Sequence, residues 1–122
     1  MKKLENTSDR LIENLKKATN GMIMLSLFSM RPMNLDEIKR YLAEKSGSVC
    51  KISYPYATIY RMQDSGYIES CGKKQAANER WREYYTITKK GEQHLRSLRI
   101  SYENFTQSIN DILKSVDSQR ME

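Results

Sequence analysis

The chain is short of the residues that build metal and catalytic centres. Its 122 residues include one histidine, His94, and two cysteines, Cys50 and Cys71, with no Cys-x-x-Cys pair. A structural metal needs several clustered ligands at short spacings, so no metal site is expected. No glycine-rich phosphate loop is present, and the single histidine offers no nucleophile and base pairing. Neither enzyme chemistry nor a cofactor is expected. No segment reaches the ~18 consecutive apolar residues that cross a bilayer. Met1-Lys2-Lys3-Leu4-Glu5-Asn6 turns acidic and polar with no apolar stretch behind its lysines. The expectation is therefore a cytoplasmic protein with no membrane partner, whose two thiols stay reduced and unpaired.

What the chain does hold is charge, and mostly of one sign. Lys and Arg number 21 against 15 Asp and Glu, a formal net charge of +6. A surplus of this size suits a polyanion, whose condensed counterions are released when cations dock. With 39% hydrophobic residues the chain can bury a core, though a small one. Undersized domains often complete their cores by associating with a second copy.

Thr7-Ser8-Asp9 offers N-cap chemistry, and Leu11, Leu15, Ala18, Met22 and Leu25 follow at helical spacing. From Met22 to Phe28 the run is apolar almost all round, which predicts burial at the centre of the domain. Asn20-Gly21 interrupts the pattern and either bends one long helix or divides two. Pro32 ends this stretch. Asn34 and Glu37 then form a capping box for a second helix whose Leu35, Ile38, Tyr41 and Leu42 share a face and whose stop is Gly47.

After the link Ser48-Val49-Cys50-Lys51, a third helix is expected over 53–65, with Pro55 in its first turn. Ile52, Tyr56, Ile59 and Met62 mark its buried side, and Tyr54, Ala57, Thr58 and Arg61 the opposite one. Two strand-like runs follow, Tyr67 to Gly72 and Trp81 to Thr88, joined by the polar stretch Lys73 to Arg80. In the second run Tyr85 and Ile87 face one way, and Arg82, Tyr84 and Thr86 the other. Trp81 falls on the Tyr85 face, as a core residue, beside a ligand cavity or at a dimer contact. Thr88 caps a last helix in which Leu95, Leu98, Tyr102, Phe105, Ile109, Ile112 and Val116 recur at steps of three and four. That is a heptad seam held over three repeats.

The expected fold is mainly α: a winged helix-turn-helix of three helices and a two-stranded β-hairpin wing over 8–88, and a long C-terminal dimerisation helix over 89–118. A helix can enter the major groove only if one face is free of core packing. Ser53, Tyr54, Ala57, Thr58 and Arg61 are the candidates for that face. Arg61 is suited either to a guanine edge or to a phosphate, and the hydroxyls of Tyr54 and Thr58 to phosphate oxygens. Lys73, Lys74, Arg80 and Arg82, against the one acid Glu79, make the wing 73–82 a candidate for backbone or minor-groove contact. A two-fold dimer then implies duplex DNA with an inverted-repeat operator, its half-sites ~10 base pairs apart. The alternative is a winged-helix module that binds protein instead of DNA.

From about Asn20 to Gly91 the chain resembles the PadR-like transcriptional regulators. The resemblance rests on Ser53-Tyr54-Pro55-Tyr56 through Ile59, Arg61-Met62, Gly66-Tyr67-Ile68, and the run Arg82-Glu83-Tyr84-Tyr85-Thr86-Ile87-Thr88-Lys89-Lys90-Gly91. Gly21 and Pro32 also stand where that family usually has glycine and proline. The resemblance implies a dimeric winged-helix repressor of the compact kind, with the third helix in the major groove. A small hydrophobic effector held between subunits is a further partner it suggests, and no residue identifies it. Where the family has Gly-Tyr-Glu-Ile at its second helix, this chain has Leu35-Asp36-Glu37-Ile38, so only the last two positions carry over.

Overall fold

The computed structural model describes residues 7–47, 49–76 and 80–120. Six elements follow in order: α1 (Thr7–Met30), α2 (Leu35–Ser46), α3 (Pro55–Asp64), β1 (Ile68–Gln75), β2 (Trp81–Ile87) and α4 (Lys89–Arg120). Ser48 of the expected link and Glu79 of the expected wing tip lie outside the described residues.

The Asn20-Gly21 step does not divide α1, which runs as one helix of 24 residues. Its two halves differ in what surrounds them. Leu11, Ile12 and Leu15 are exposed, whereas Met24, Leu25, Leu27 and Phe28 are buried. The second half is the spine of the core, clustered with Met33, Ile38, Leu42, Ile59, Met62 and Ile68. Phe28 meets the Tyr85 ring edge-on at 5.9 Å between centroids.

The start of α2 is the local motif that the sequence suggests. Asn34 Oδ1 accepts the Glu37 backbone N–H at 2.9 Å, and Glu37 Oε1 accepts the Asn34 N–H at 3.0 Å. Two of the free amides of the first turn are satisfied reciprocally. Just before it, Met33 and Tyr85 exchange backbone hydrogen bonds of 3.0 and 2.9 Å, which ties the α1–α2 junction to the root of β2.

The hairpin is longer than expected. Lys73 and Lys74 sit within β1, opposite Glu83 and Arg82, and not in a loop. The strand continues past Gly72 because the register shifts between Ser70 and Gly72. Gly72 there has φ +86°, a conformation that costs glycine nothing. A feature that reads in sequence as a strand end is a bulge within one.

Thr88 roots α4. Its Oγ1 accepts the Gly91 N–H at 3.0 Å and donates to the Gly66 carbonyl at 2.6 Å. A Cβ on Gly91 would lie 2.0 Å from the Tyr67 carbonyl oxygen, so only glycine allows the helix to pass this close to the base of β1. The first turns of α4 consequently belong to the core. Leu95 is buried and Leu98 half-buried against it, which corrects their assignment to the intermolecular seam. Periodicity marks an apolar stripe without saying which part is covered by the chain's own domain.

Candidate nucleic-acid interface

The helix α3 buries Thr58, Ile59 and Met62 and exposes Tyr54, Tyr56, Ala57, Tyr60 and Arg61. Two expectations are corrected. Thr58, placed by its polarity on the outer face, is 4% exposed. Its Oγ1 donates to the Tyr54 carbonyl at 3.1 Å, and a hydroxyl satisfied inside its own helix is free to be buried. Tyr56, placed on the buried side, is exposed together with Tyr60, which sequence reasoning did not single out. Aromatic character was the misleading signal, since a ring on a helix surface has the same composition as one in a core.

Ahead of α3, Tyr54 is 75% exposed and acts as the N-cap, with φ +52° and ψ +57°. This left-handed conformation is uncommon for a bulky residue. Ser53, one position earlier, is half-buried and held by Asn20 of α1: Nδ2 donates to the Ser53 carbonyl at 2.7 Å, and Oδ1 accepts the Ser53 N–H at 3.4 Å. At the other end of the exposed face, Arg61 reaches Thr58 Oγ1 through a long 3.5 Å hydrogen bond.

The wing follows α3 in the chain. Lys73, Lys74 and Arg80 are exposed, and Lys74 Nζ lies 5.6 Å from the Tyr84 ring centroid. Arg82 is engaged within the chain: its Nε donates to Asp36 Oδ2 at 2.6 Å, an ion pair to α2. Trp81 is 66% exposed, which removes the core from the three places considered for it. At the root of the wing, burial first, then Glu83, and then Tyr60 and Tyr56, raise the Tyr85 phenol above its ordinary value.

Farther along α4, Tyr102, Phe105, Ile109, Ile112 and Val116 are exposed, with Phe105 at 66%. Ile100 and Leu113, outside the expected seam, are exposed as well. Among the described residues no three His, Cys, Asp or Glu side chains gather as metal ligands, and Cys50 and Cys71 are free thiols. No described helix is long and apolar enough to cross a membrane.

Residues 24–97 match the model of the transcriptional regulator PadR-like family. Among solved structures, the chain is similar to a PadR-like transcriptional regulator from Bacillus cereus, at 26% identity and a TM-score of 0.67, over 83% of this chain and 96% of that one. It is also similar in fold to a PadR family transcriptional regulator from Eggerthella lenta, at 19% identity and a TM-score of 0.71, over 87% and 88% of the two chains. A transcriptional regulator from Clostridium thermocellum shares the fold at 23% identity and a TM-score of 0.69, over 80% and 96%. None of the curated proteins matches the sequence significantly. With a family model spanning more than half its length and a winged-helix fold to carry it, the chain belongs to the PadR-like family of transcriptional regulators, a family that works by binding DNA and not by catalysis.

Proposed function

We propose that this protein is a homodimeric, sequence-specific DNA-binding repressor of the cytoplasm. It reads an inverted-repeat operator in duplex DNA with α3 in the major groove and the wing on the backbone or in the minor groove. In this reading residues 8–88 form the DNA-binding domain and 89–118 the dimerisation element. The observation that carries it is the outer face of α3, where Tyr54, Tyr56, Ala57, Tyr60 and Arg61 are left uncovered, together with the exposed wing cations Lys73, Lys74 and Arg80.

Arg61 is the base-reading candidate, because a guanidinium can donate two parallel hydrogen bonds to a guanine edge. The wing cations, on a flexible stem or a strand edge, are suited to phosphates, which position a protein without reporting sequence. The stripe Tyr102, Phe105, Ile109, Ile112 and Val116 supports the dimer, since a contiguous apolar face of this length is unusual on a monomer. Repression by occupancy of a promoter needs no surface beyond these two.

Binding to a promoter duplex, measured across a salt series, tests the reading. The logarithm of the association constant should fall linearly with the logarithm of salt, by ~0.9 for each phosphate contacted. A flat response overturns it.

A further inference from the structure

Asn20 sits in the middle of α1, where asparagine is a poor helix former, yet it is 8% exposed. A buried amide has to find partners on both its ends. Both are on one peptide unit 33 residues away: Nδ2 donates to the Ser53 carbonyl at 2.7 Å and Oδ1 accepts the Ser53 N–H at 3.4 Å. The side chain thus pairs with Ser53 much as a neighbouring strand would, and it fixes the backbone at that point to the spine of the core.

The next residue is Tyr54, the left-handed N-cap. A non-glycine residue persists in that region only where its surroundings over-determine it. The carbonyl of Tyr54 accepts the Thr58 N–H at 3.1 Å and so opens the helix α3. Fixing Ser53 therefore fixes Tyr54, and Tyr54 sets the direction in which α3 leaves the core.

We infer that Asn20 is a positioning residue for base reading: by gripping the Ser53 peptide it holds Tyr54 left-handed and aims α3, so that the side chains from Tyr54 to Arg61 meet base edges in one pose. The inference rests on the DNA-reading function proposed above. Its consequence is selective. Hydrogen bonds to base edges fail when donors move by an ångström, whereas attraction to phosphates tolerates such a shift. A loosened clamp should lower discrimination and leave general DNA affinity in place.

The experiment begins with a duplex selected by the wild-type protein from a randomised pool. Affinities for that duplex and for a scrambled one are then compared in wild type, Asn20→Asp, Asn20→Leu and Leu27→Ala. Asn20→Asp keeps the acceptor and the volume but removes the donor; Leu27→Ala truncates the core and controls for lost stability. Both Asn20 variants should lose at least tenfold in preference for the selected duplex, with scrambled-duplex affinity and salt slope within twofold of wild type. The backbone amide resonances of Ser53, Tyr54 and residues 56–58 should shift with them, and Leu27→Ala should keep its preference while melting earlier. A folded Asn20→Leu chain with wild-type preference overturns the inference; should that variant not fold, wild-type preference in Asn20→Asp does so. A pool from which wild type selects no duplex overturns the DNA reading itself, and the two failures are therefore distinguishable.

Discussion

Arg82 Nε donates to Asp36 Oδ2 at 2.6 Å, joining the second strand of the wing to the first turn of α2 across 46 residues of sequence. Both side chains are partly exposed, so the pair is worth no more than ~1 kcal/mol of stability. Its effect on DNA binding is informative for another reason. An arginine already occupied by a carboxylate adds little to phosphate binding, so Arg82→Ala should leave the salt slope unchanged. Lys73→Ala should reduce it by ~0.9, the weight of one phosphate contact. An equal loss of slope in both variants would show that Arg82 leaves Asp36 when DNA arrives.

Arg61 and the wing lysines should separate specificity from affinity. Arg61→Ala is expected to cost ~1–3 kcal/mol on the operator and to relax preference at one base pair. Lys74→Ala should weaken binding to operator and random duplex alike. Titration of both duplexes with each variant measures this, and parallel losses in Arg61→Ala would make that residue a backbone anchor.

The exposed stripe on α4 predicts the assembly state. Phe105→Glu combined with Ile109→Glu places two charges on an apolar face that is uncovered in the single chain. Neither residue belongs to the core of the domain. The double variant should therefore keep its helical content and melt cooperatively while sedimenting as a monomer with little operator affinity. A variant that remains dimeric would place the interface elsewhere, with the exposed Leu11, Ile12 and Leu15 of α1 as the next surface to alter.

Trp81 is the one tryptophan in the sequence and is exposed on the wing, so its fluorescence reports on that wing alone. DNA seated against the hairpin should quench the emission or move it to shorter wavelength, with a midpoint that follows the affinity measured independently. Lys73→Ala should shift that midpoint without altering the endpoint. Unchanged emission at saturation would remove the wing from the contact surface.

Where the controlling interaction lies within a few residues, the sequence is readable. The Asn34 and Glu37 capping box, the Gly47 stop and the Thr88 cap are all of this kind, each a side chain or glycine answering backbone groups within one turn. Misreadings arise where one residue type serves two environments. Tyr56 and Thr58 exchange places because a ring can be exposed and a hydroxyl can satisfy itself before burial. Lys73 and Lys74 read as loop because glycine ends strands as often as it bends them, and here Gly72 does the latter. Leu95 and Leu98 continue the period of Tyr102 and Phe105, although they pack on the chain's own core and the latter two are exposed. The pairing of Asn20 with Ser53 has no local signature, since it joins two positions only the folded chain brings together.

The close passage of Gly91 beneath the Tyr67 carbonyl makes the root of α4 a fulcrum. The 32 residues of that helix, at ~1.5 Å per residue, form a rod about 48 Å long. In the proposed dimer the far half of the rod is held against a second copy, and any tilt at the fulcrum would become travel of the whole winged domain. Base pairs are stacked ~3.4 Å apart, so in the proposed dimer a small rotation at this point would change the separation of the two reading helices on the scale of the duplex repeat. In that dimer the spacing of half-sites that two such domains grip together would depend on the contacts of Thr88 and Gly91, which lie outside both α3 and the wing.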